Sequence, residues 1–392
     1  MNASQARRVY LDHNATTPVH PEVLEAMLPY FKDKFGNPSS IHGFGREVKV
    51  ALEESREKVA KLINAGPSEI YFTSGGTESD NLAVKGTAFA NRKKGKHIIT
   101  SEIEHHAILE SCKSLEKEGF EVTYLPVDGQ GLIDPDDLGK AMRKDTILVS
   151  LMYANNEVGI IEPLEELSKI TKENGVYFHT DAVQAMGKVP VDVQKLNVDM
   201  LSVSGHKIYG PKGVGAIYIR KGTRITSLSH GGSHERSRRA GTENVPGIVG
   251  LAKAVEIAYR DIEEQSKHLK KMSEAFYKKL TQAIPDVFLN GDLEKRIPNT
   301  LNLSFKAVEG ESIILSLDLK GVAVSTGSAC ASGSLEPSHV LSAMGISPEL
   351  AQSAIRFSFG RENTTDDVEY VVEILPEIVS RLRLMSPLYV NK

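Results

Sequence analysis

Cysteine is scarce in this chain: Cys112 and Cys330 are the two thiols among 392 residues. Two cysteines so far apart build neither a disulfide framework nor a four-thiolate metal site. Charge of one sign is lacking as well. A formal net charge of −4 removes the bulk attraction that would hold nucleic acid or an anionic membrane. No apolar run reaches the length that spans a bilayer. The opening segment MNASQARRVYLDHNATT has no apolar h-region, so it does not read as a secretory signal. Internal repeats, low-complexity tracts and long charge blocks are also missing. A cytoplasmic protein without membrane or nucleic-acid partners is expected, in a reducing compartment where an exposed thiol stays free to react. With 40% apolar and 25% charged residues, the chain is long enough for two domains and a large core.

From about Pro21 to Arg260, helical and strand patterns alternate. Residues 46–63 place Val48, Leu52, Val59 and Leu62/Ile63 on one stripe at helical spacing. IYFTS (70–74), HIITS (97–101), EVTYL (121–125), TILVSLMYA (146–154), VYFHTDA (176–182) and DMLSVS (199–204) read as strands. Helical patterns separate them, among them TESDNLAVKGTAFA and PLEELSKITKENG, the latter with proline at its start and glycine at its end. Short apolar runs between helices imply a mostly parallel sheet covered on both faces. After about Val255 the character changes. Residues 256–283 predict a long charged helix, followed by strands in NLSF, VAVST and RFSFGR and helices in GESIILSLDL, near 336–354 and over 365–383. The expectation is an α/β chain with a large mostly parallel-sheet domain over 15–257. Residues 1–14 and 258–392 then form a smaller α+β domain.

Six segments could carry chemistry. In TSGGTESDN (73–81) a strand ends, two glycines turn the chain and Thr77 sits at an N-cap; this is an anion cradle or an ordinary capped helix. In SEIEHHAILE (101–110), His105 and His106 mark a strand-to-helix junction. Adjacent histidines do not share a helix face, so one ring stacks on a ligand or moves protons, or else merely caps. Asp181 in HTDAVQ falls at the carboxyl end of a strand, where ligands bind in open α/β sheets, and where helix N-caps also occur. SVSGHKIYGPKGVG (202–215) lacks the spacing of a P-loop. A lysine such as Lys207, following a strand end, can form an imine with an aldehyde cofactor, whereas Lys212 reads as a solvated turn residue. Cys330 in STGSACASGS lies among small residues, on a loop that could swing a thiol or in an incidental linker. Cys112 reads as a small buried helix residue. Arg356 in IRFSFGR could pair with a carboxylate, and HERSRRAGTEN (234–244) suits an anion, a subunit contact or solvent.

Taken in order, these segments resemble the cysteine desulfurases of the iron–sulfur-cluster and nitrogen-fixation type, pyridoxal-phosphate enzymes of fold type I in the class V aminotransferase group. The resemblance runs from YLDHNATTPV to RLRLMSPL. It includes FGNPSS, FTSGGTESDN, EHHAIL, NNEVG, DAVQ, SGHKIYGPKGVG, HGGSHERSRRAGTENV, GSAC and IRFSFGR. It implies that Lys207 carries pyridoxal 5'-phosphate and removes the α-proton of L-cysteine. Gly76, Thr77, Ser204 and His206 would hold the phosphate, and Asp181 the ring nitrogen. Asn156 and Gln184 would contact the ring's phenolic oxygen, and His105 would stack on the ring and transfer protons. Arg356, helped by Asn37, would bind the substrate carboxylate. Thr242 would reach the phosphate of the other subunit, which implies a homodimer. Cys330 would take the sulfur as a persulfide, leaving L-alanine, and pass it to an iron–sulfur scaffold or another acceptor protein. No metal site is implied beyond Cys330 as a transient iron–sulfur ligand. The position after His105, often lysine in that family, is His106 here.

Two rivals frame this reading. A related pyridoxal-phosphate lyase or aminotransferase, such as a selenocysteine lyase, is the nearer one, and a simple aminotransferase has no use for Cys330. A sulfur or metal carrier without turnover is the other, and two distant cysteines make a poor cluster site.

Overall fold

A computed structural model describes residues 7–326, 337–387 and 389. Its centre is a seven-stranded sheet of β2 (Ile70–Thr73), β3 (His97–Ser101), β4 (Glu121–Leu125), β5 (Thr146–Ser150), β6 (Tyr177–Asp181), β7 (Met200–Ser204) and β8 (Gly215–Ile219). A two-residue strand, β1 (Val9–Tyr10), precedes them. The spatial order is β2-β8-β7-β6-β5-β3-β4. The pairs β4–β3, β3–β5, β5–β6 and β6–β7 are parallel, whereas β8 runs antiparallel to both β7 and β2. Every residue of β3, β5, β6, β7 and β8 is buried, except the partly buried Tyr177. Strands covered on both faces need continuous apolar or fully hydrogen-bonded runs. Helices Gly43–Leu62, His106–Glu116 and Leu164–Glu173 supply cover, with Val48, Leu52 and Val59 of the first buried at the spacing read from the sequence.

The TESDNLAVKGTAFA pattern forms helix Gly76–Asn81, a π-turn over Leu82–Gly86 and helix Thr87–Asn91. The wider turn lets Gly86 sit where a Cβ would come within 2.7 Å of Ile225 Cγ1 and of Thr226 O.

A second core packs on a three-stranded antiparallel sheet, β12-β10-β9, built from β9 (Val287–Asn290), β10 (Thr300–Phe305) and β12 (Ala354–Ser358). A short strand, β11 (Val322–Ala323), pairs in parallel with β1. Phe276, Phe305, Phe357 and Phe359 fill this core, together with Val9 and Leu11 from the start of the described chain. The long helix starts earlier than its charge pattern predicts, at Val245 instead of 256, and runs to Ala283. Asn244 explains the start: its side chain accepts the Gly247 N–H at 3.2 Å, and Pro246 sits in the first turn. Ile248, Leu251 and Val255 join the first core, and Leu269, Met272 and Phe276 the second. The helix therefore crosses from one core to the other without a break. No helix among the described residues is long and apolar enough to cross a membrane.

Candidate active site

The carboxyl ends of the strands converge on one edge. Because β8 runs against both β2 and β7, the ends of those two strands lie together, with Thr73 and Ser204 both registered to Gly215. Gly215 has to be glycine: a Cβ there would come within 2.7 Å of Gly75 Cα and 2.5 Å of Val203 O. Gly75 itself has φ +155°, a backbone that side-chain-bearing residues avoid. The turn Ser74–Thr77 thus folds back over the sheet edge, and a Cβ at Gly76 would strike Val183 Cγ2 at 2.8 Å. The result is an open cleft of about 470 Å³ lined by Ala15, Gly76, Thr77, Ser204, His206 and Lys212, among others. Backbone N–H groups, hydroxyls and an imidazole are anion-binding donors. The one carboxylate of the lining among the described residues, Glu78, is occupied elsewhere: it accepts the Ser74 N–H at 2.7 Å and the Arg239 guanidinium at 2.9 Å.

Asp181 closes β6 and is 7% exposed. It accepts the Val183 N–H at 2.8 Å. Burial raises its pKa to about 6, against the pull of that bond and of Lys207. A cation brought against this carboxylate would hold it ionised. Beneath it, His179 is fully buried between the hydroxyls of Ser150 (2.8 Å) and Ser202 (2.9 Å), and burial lowers its pKa to about 3. Asp80 lies 3.8 Å from the same ring, and burial first and Asp181 second push its pKa up.

Lys207 ends a 3₁₀ turn, Gly205–Lys207, directly after β7. Its Nζ donates to Asn14 O at 2.5 Å and Ala15 O at 2.9 Å. The segment Asn14–Thr17 is itself pinned to the turn, since the Thr17 N–H and hydroxyl both bond His206 O, at 2.9 and 3.0 Å. His206 contacts Thr16 Oγ1 at 3.1 Å, and burial, then Lys207 and Lys212, lower its pKa to about 4. His105 caps helix His106–Glu116, with Nδ1 accepting the Ala107 N–H at 3.1 Å. Burial, then Lys207, His106 and His339, lower its pKa to about 4. At neutral pH the ring is uncharged and its proton sits on Nε2.

Arg356 lies on β12 yet reaches this edge. It donates to Asp12 Oδ1 at 2.7 Å and to Asn156 O at 2.9 Å. Gln184 donates through Nε2 to Asn14 O at 2.9 Å. Asn14 is the hub: it also bonds Asn156 O (3.2 Å) and Thr300 Oγ1 (2.8 Å), so one side chain ties the sheet edge to the second core.

Among the residues singled out from the sequence, Lys207, His105, Asp181, Gln184, Asn156, Arg356, Gly76, Thr77, Ser204 and His206 therefore lie along one edge. Thr242 and Asn37 do not join them. Thr242 is exposed, in a loop anchored by the buried pair Arg56–Glu235 (2.8 Å), which holds Glu235, Arg236 and Ser237 at positive φ. Asn37 is exposed and accepts the Ser39 N–H of its own turn at 2.9 Å. Cys330 lies outside the described residues. Cys112 is fully buried, and burial pushes its thiol up to about 12, so it stays an inert thiol. Asp12, Asn14, Asp80 and Lys188 were not singled out. The first two stand in the quoted stretch LDHNATT, whose density of polar residues beside an apolar run was the available signal.

Known proteins share this arrangement of chain and fold. Residues 9–371 match the family model described as Aminotransferase class-V. The chain is 60% identical over 381 residues to the cysteine desulfurase IscS of Dictyoglomus turgidum, covering 97% of each chain. It is 58% identical to the cysteine desulfurase IscS of Methanosarcina thermophila, covering 98% of this chain and 95% of that one. A solved NifS-like protein superposes with a TM-score of 0.91 at 44% identity, covering 96% of this chain and all of the other. On these matches the chain belongs to the class-V aminotransferase family.

Proposed function

We propose that this protein is a cysteine desulfurase dependent on pyridoxal 5'-phosphate, converting L-cysteine to L-alanine and placing the sulfur on Cys330 as a persulfide. The observation that carries the reading is the meeting of Lys207, Asp181 and the Gly75–Thr77 turn on one sheet edge, at the carboxyl ends of β7, β6 and β2. The residues fit the cofactor. The cleft beside Gly76, Thr77, Ser204 and His206 offers donors and has its carboxylate diverted. Burial keeps the pKa of Asp181 raised against the pull of Lys207, so a cationic ring nitrogen would be favoured beside it. Bound pyridoxal phosphate supplies an aldehyde for covalent attachment and a ring that withdraws electrons from the substrate's α-carbon.

The chain's own groups do the rest. Lys207 is the amine for attachment and, once released, the base for the α-proton. Asp181 would keep the ring nitrogen protonated. His105, uncharged and with its proton on Nε2, would stack on the ring and deliver a proton. Gln184 and Asn156 would contact the phenolic oxygen. Arg356 binds the substrate carboxylate, preset by Asp12 and Asn156 O. The thiolate of Cys330 attacks the substrate sulfur. An S–S bond forms and the C–S bond breaks; its electron pair stays on the β-carbon, which takes a proton to become the methyl of alanine. The chain then passes this sulfur to an acceptor thiol, for iron–sulfur cluster assembly or a related pathway. It works as a homodimer, with Thr242 at the phosphate of the second copy. Residues 15–257 carry the cofactor and the remainder forms the smaller domain with the Cys330 segment.

Cys330→Ser tests the thiol's role apart from the cofactor's. The variant should still change its visible spectrum on adding L-cysteine, yet release sulfide at least about a hundredfold more slowly. Sulfide release at the parent rate would place the sulfur acceptor elsewhere.

A further inference from the structure

Seven residues after Asp181 the chain partly buries a lysine that the proposed chemistry does not use. Lys188 lies in the turn that follows β6, where Gly187 adopts φ +73°. Its Nζ sits 2.5 Å from Gln184 Oε1 and 3.4 Å from Asn14 Oδ1. Burial first, then the nearby Lys207 and Arg356, drive its pKa well below the usual lysine range. A methionine of similar length would fill the same space without desolvating an amine between two cations. Yet both of these hydrogen bonds go to groups of the candidate site.

The geometry explains what the amine does. Gln184 Nε2 donates to Asn14 O at 2.9 Å, and that same oxygen receives Lys207 Nζ at 2.5 Å. Asn14 O can only accept, so Nε2 must face it and Oε1 must face Lys188. Without the amine, Oε1 would have no donor among the described residues, and the amide would turn to find one. Asn14 is held from its other side by Asn299 Nδ2, at 3.1 Å from Oδ1.

We infer that Lys188 is a positioning residue: its amine locks the amide of Gln184, and through Asn14 O the resting place of Lys207, in the orientation that the cofactor-bound site requires. The inference rests on the proposed function, because Gln184 is taken to face the cofactor. It predicts coupling along Lys188–Gln184–Asn14–Lys207, not merely a contribution to folding.

The test compares holoenzymes of the parent, Lys188→Met, Gln184→Met and the double variant. The readouts are cofactor dissociation constant by equilibrium dialysis, pH midpoint of the cofactor's visible band, and thermal midpoint. Lys188→Met should weaken cofactor binding by about three- to tenfold and move the spectral midpoint by about half a unit or more. It should add nothing further in the Gln184→Met background. An unchanged midpoint and affinity, or effects that simply add, would overturn the inference. Should Lys188→Met fail to fold, Lys188→Gln carries the same comparison: its shorter donor should give a weakened affinity, and parent affinity would count against us. A parent protein that binds no cofactor and makes no alanine from cysteine would instead remove the functional reading, and this inference with it.

Discussion

Two regions of the molecule are equally buried and differ in what they bury. The face of the β9, β10 and β12 sheet that meets the second core is apolar, with Phe276 packed 4.9 Å from Phe357 and 5.5 Å from Phe359, while Asn290, Asn302 and Ser304 of the same strands are buried and bonded to one another. Under the carboxyl ends of β3, β5, β6 and β7 it is polar: Asp80, Glu104, His179, Asp181 and Ser202 are all buried. There Asp80 Oδ1 and Glu104 Oε2 have no hydrogen-bond partner among the described residues. Unpaired polar atoms of this kind are expensive to hold in place. The contrast teaches that the second core is built for stability, whereas the sheet edge spends stability on fixed electrostatics beside Lys207.

Substitutions that separate activity from stability sharpen the comparison. The largest effect is expected from Lys207→Ala, which should lower alanine formation by roughly a thousandfold or more. Its thermal midpoint should change little, because the amine bonds two carbonyls at a partly buried position. Turnover within tenfold of the parent, measured as alanine released, would break the assignment. In the second core, Phe357→Ala should do the reverse. The side chain is fully buried, and its loss should cost about 3–5 kcal/mol in denaturant unfolding. The folded fraction should keep its activity per molecule. Loss of specific activity at full folding would show that the two regions are not separable in this way.

A smaller effect concerns Glu104. Its Oε1 accepts Ser101 Oγ at 2.7 Å and the Met152 N–H at 2.9 Å, and burial raises its pKa to about 8. The folded protein thus holds a proton that the unfolded chain has lost above about pH 4.5. This group's contribution to stability must then fall as pH rises from about 4.5 towards 8. Glu104→Gln keeps the acceptor and removes the titration, so the difference in thermal midpoint between pH 5 and pH 8 should shrink. An unchanged difference would mean that Glu104 is ionised in the fold.

The sequence made part of this legible. The strands after Ile70 could be read because each is a short apolar run bounded by turn residues, and the glycines of Ser74–Thr77 and of the Lys207 turn flagged close backbone approach. Two features could not be read. The antiparallel course of β8 depends on the tight return through Gly205–Gly215, and a buried strand looks the same in either direction. The early start of the Val245–Ala283 helix was hidden because its first turns are apolar, while the charge pattern begins near 256. Arg356 and Asp12 meet across more than three hundred residues, and Lys188 looks like any solvated lysine until the fold sets its amine against Gln184 and Asn14. No local pattern encodes either fact.

The most direct test is to incubate the purified protein with pyridoxal phosphate and L-cysteine, quantify alanine, and examine the Cys330 peptide by mass spectrometry. The account predicts alanine together with a peptide one sulfur atom heavier, and neither product in Lys207→Ala. Alanine without the added sulfur, or no alanine at all, would contradict it.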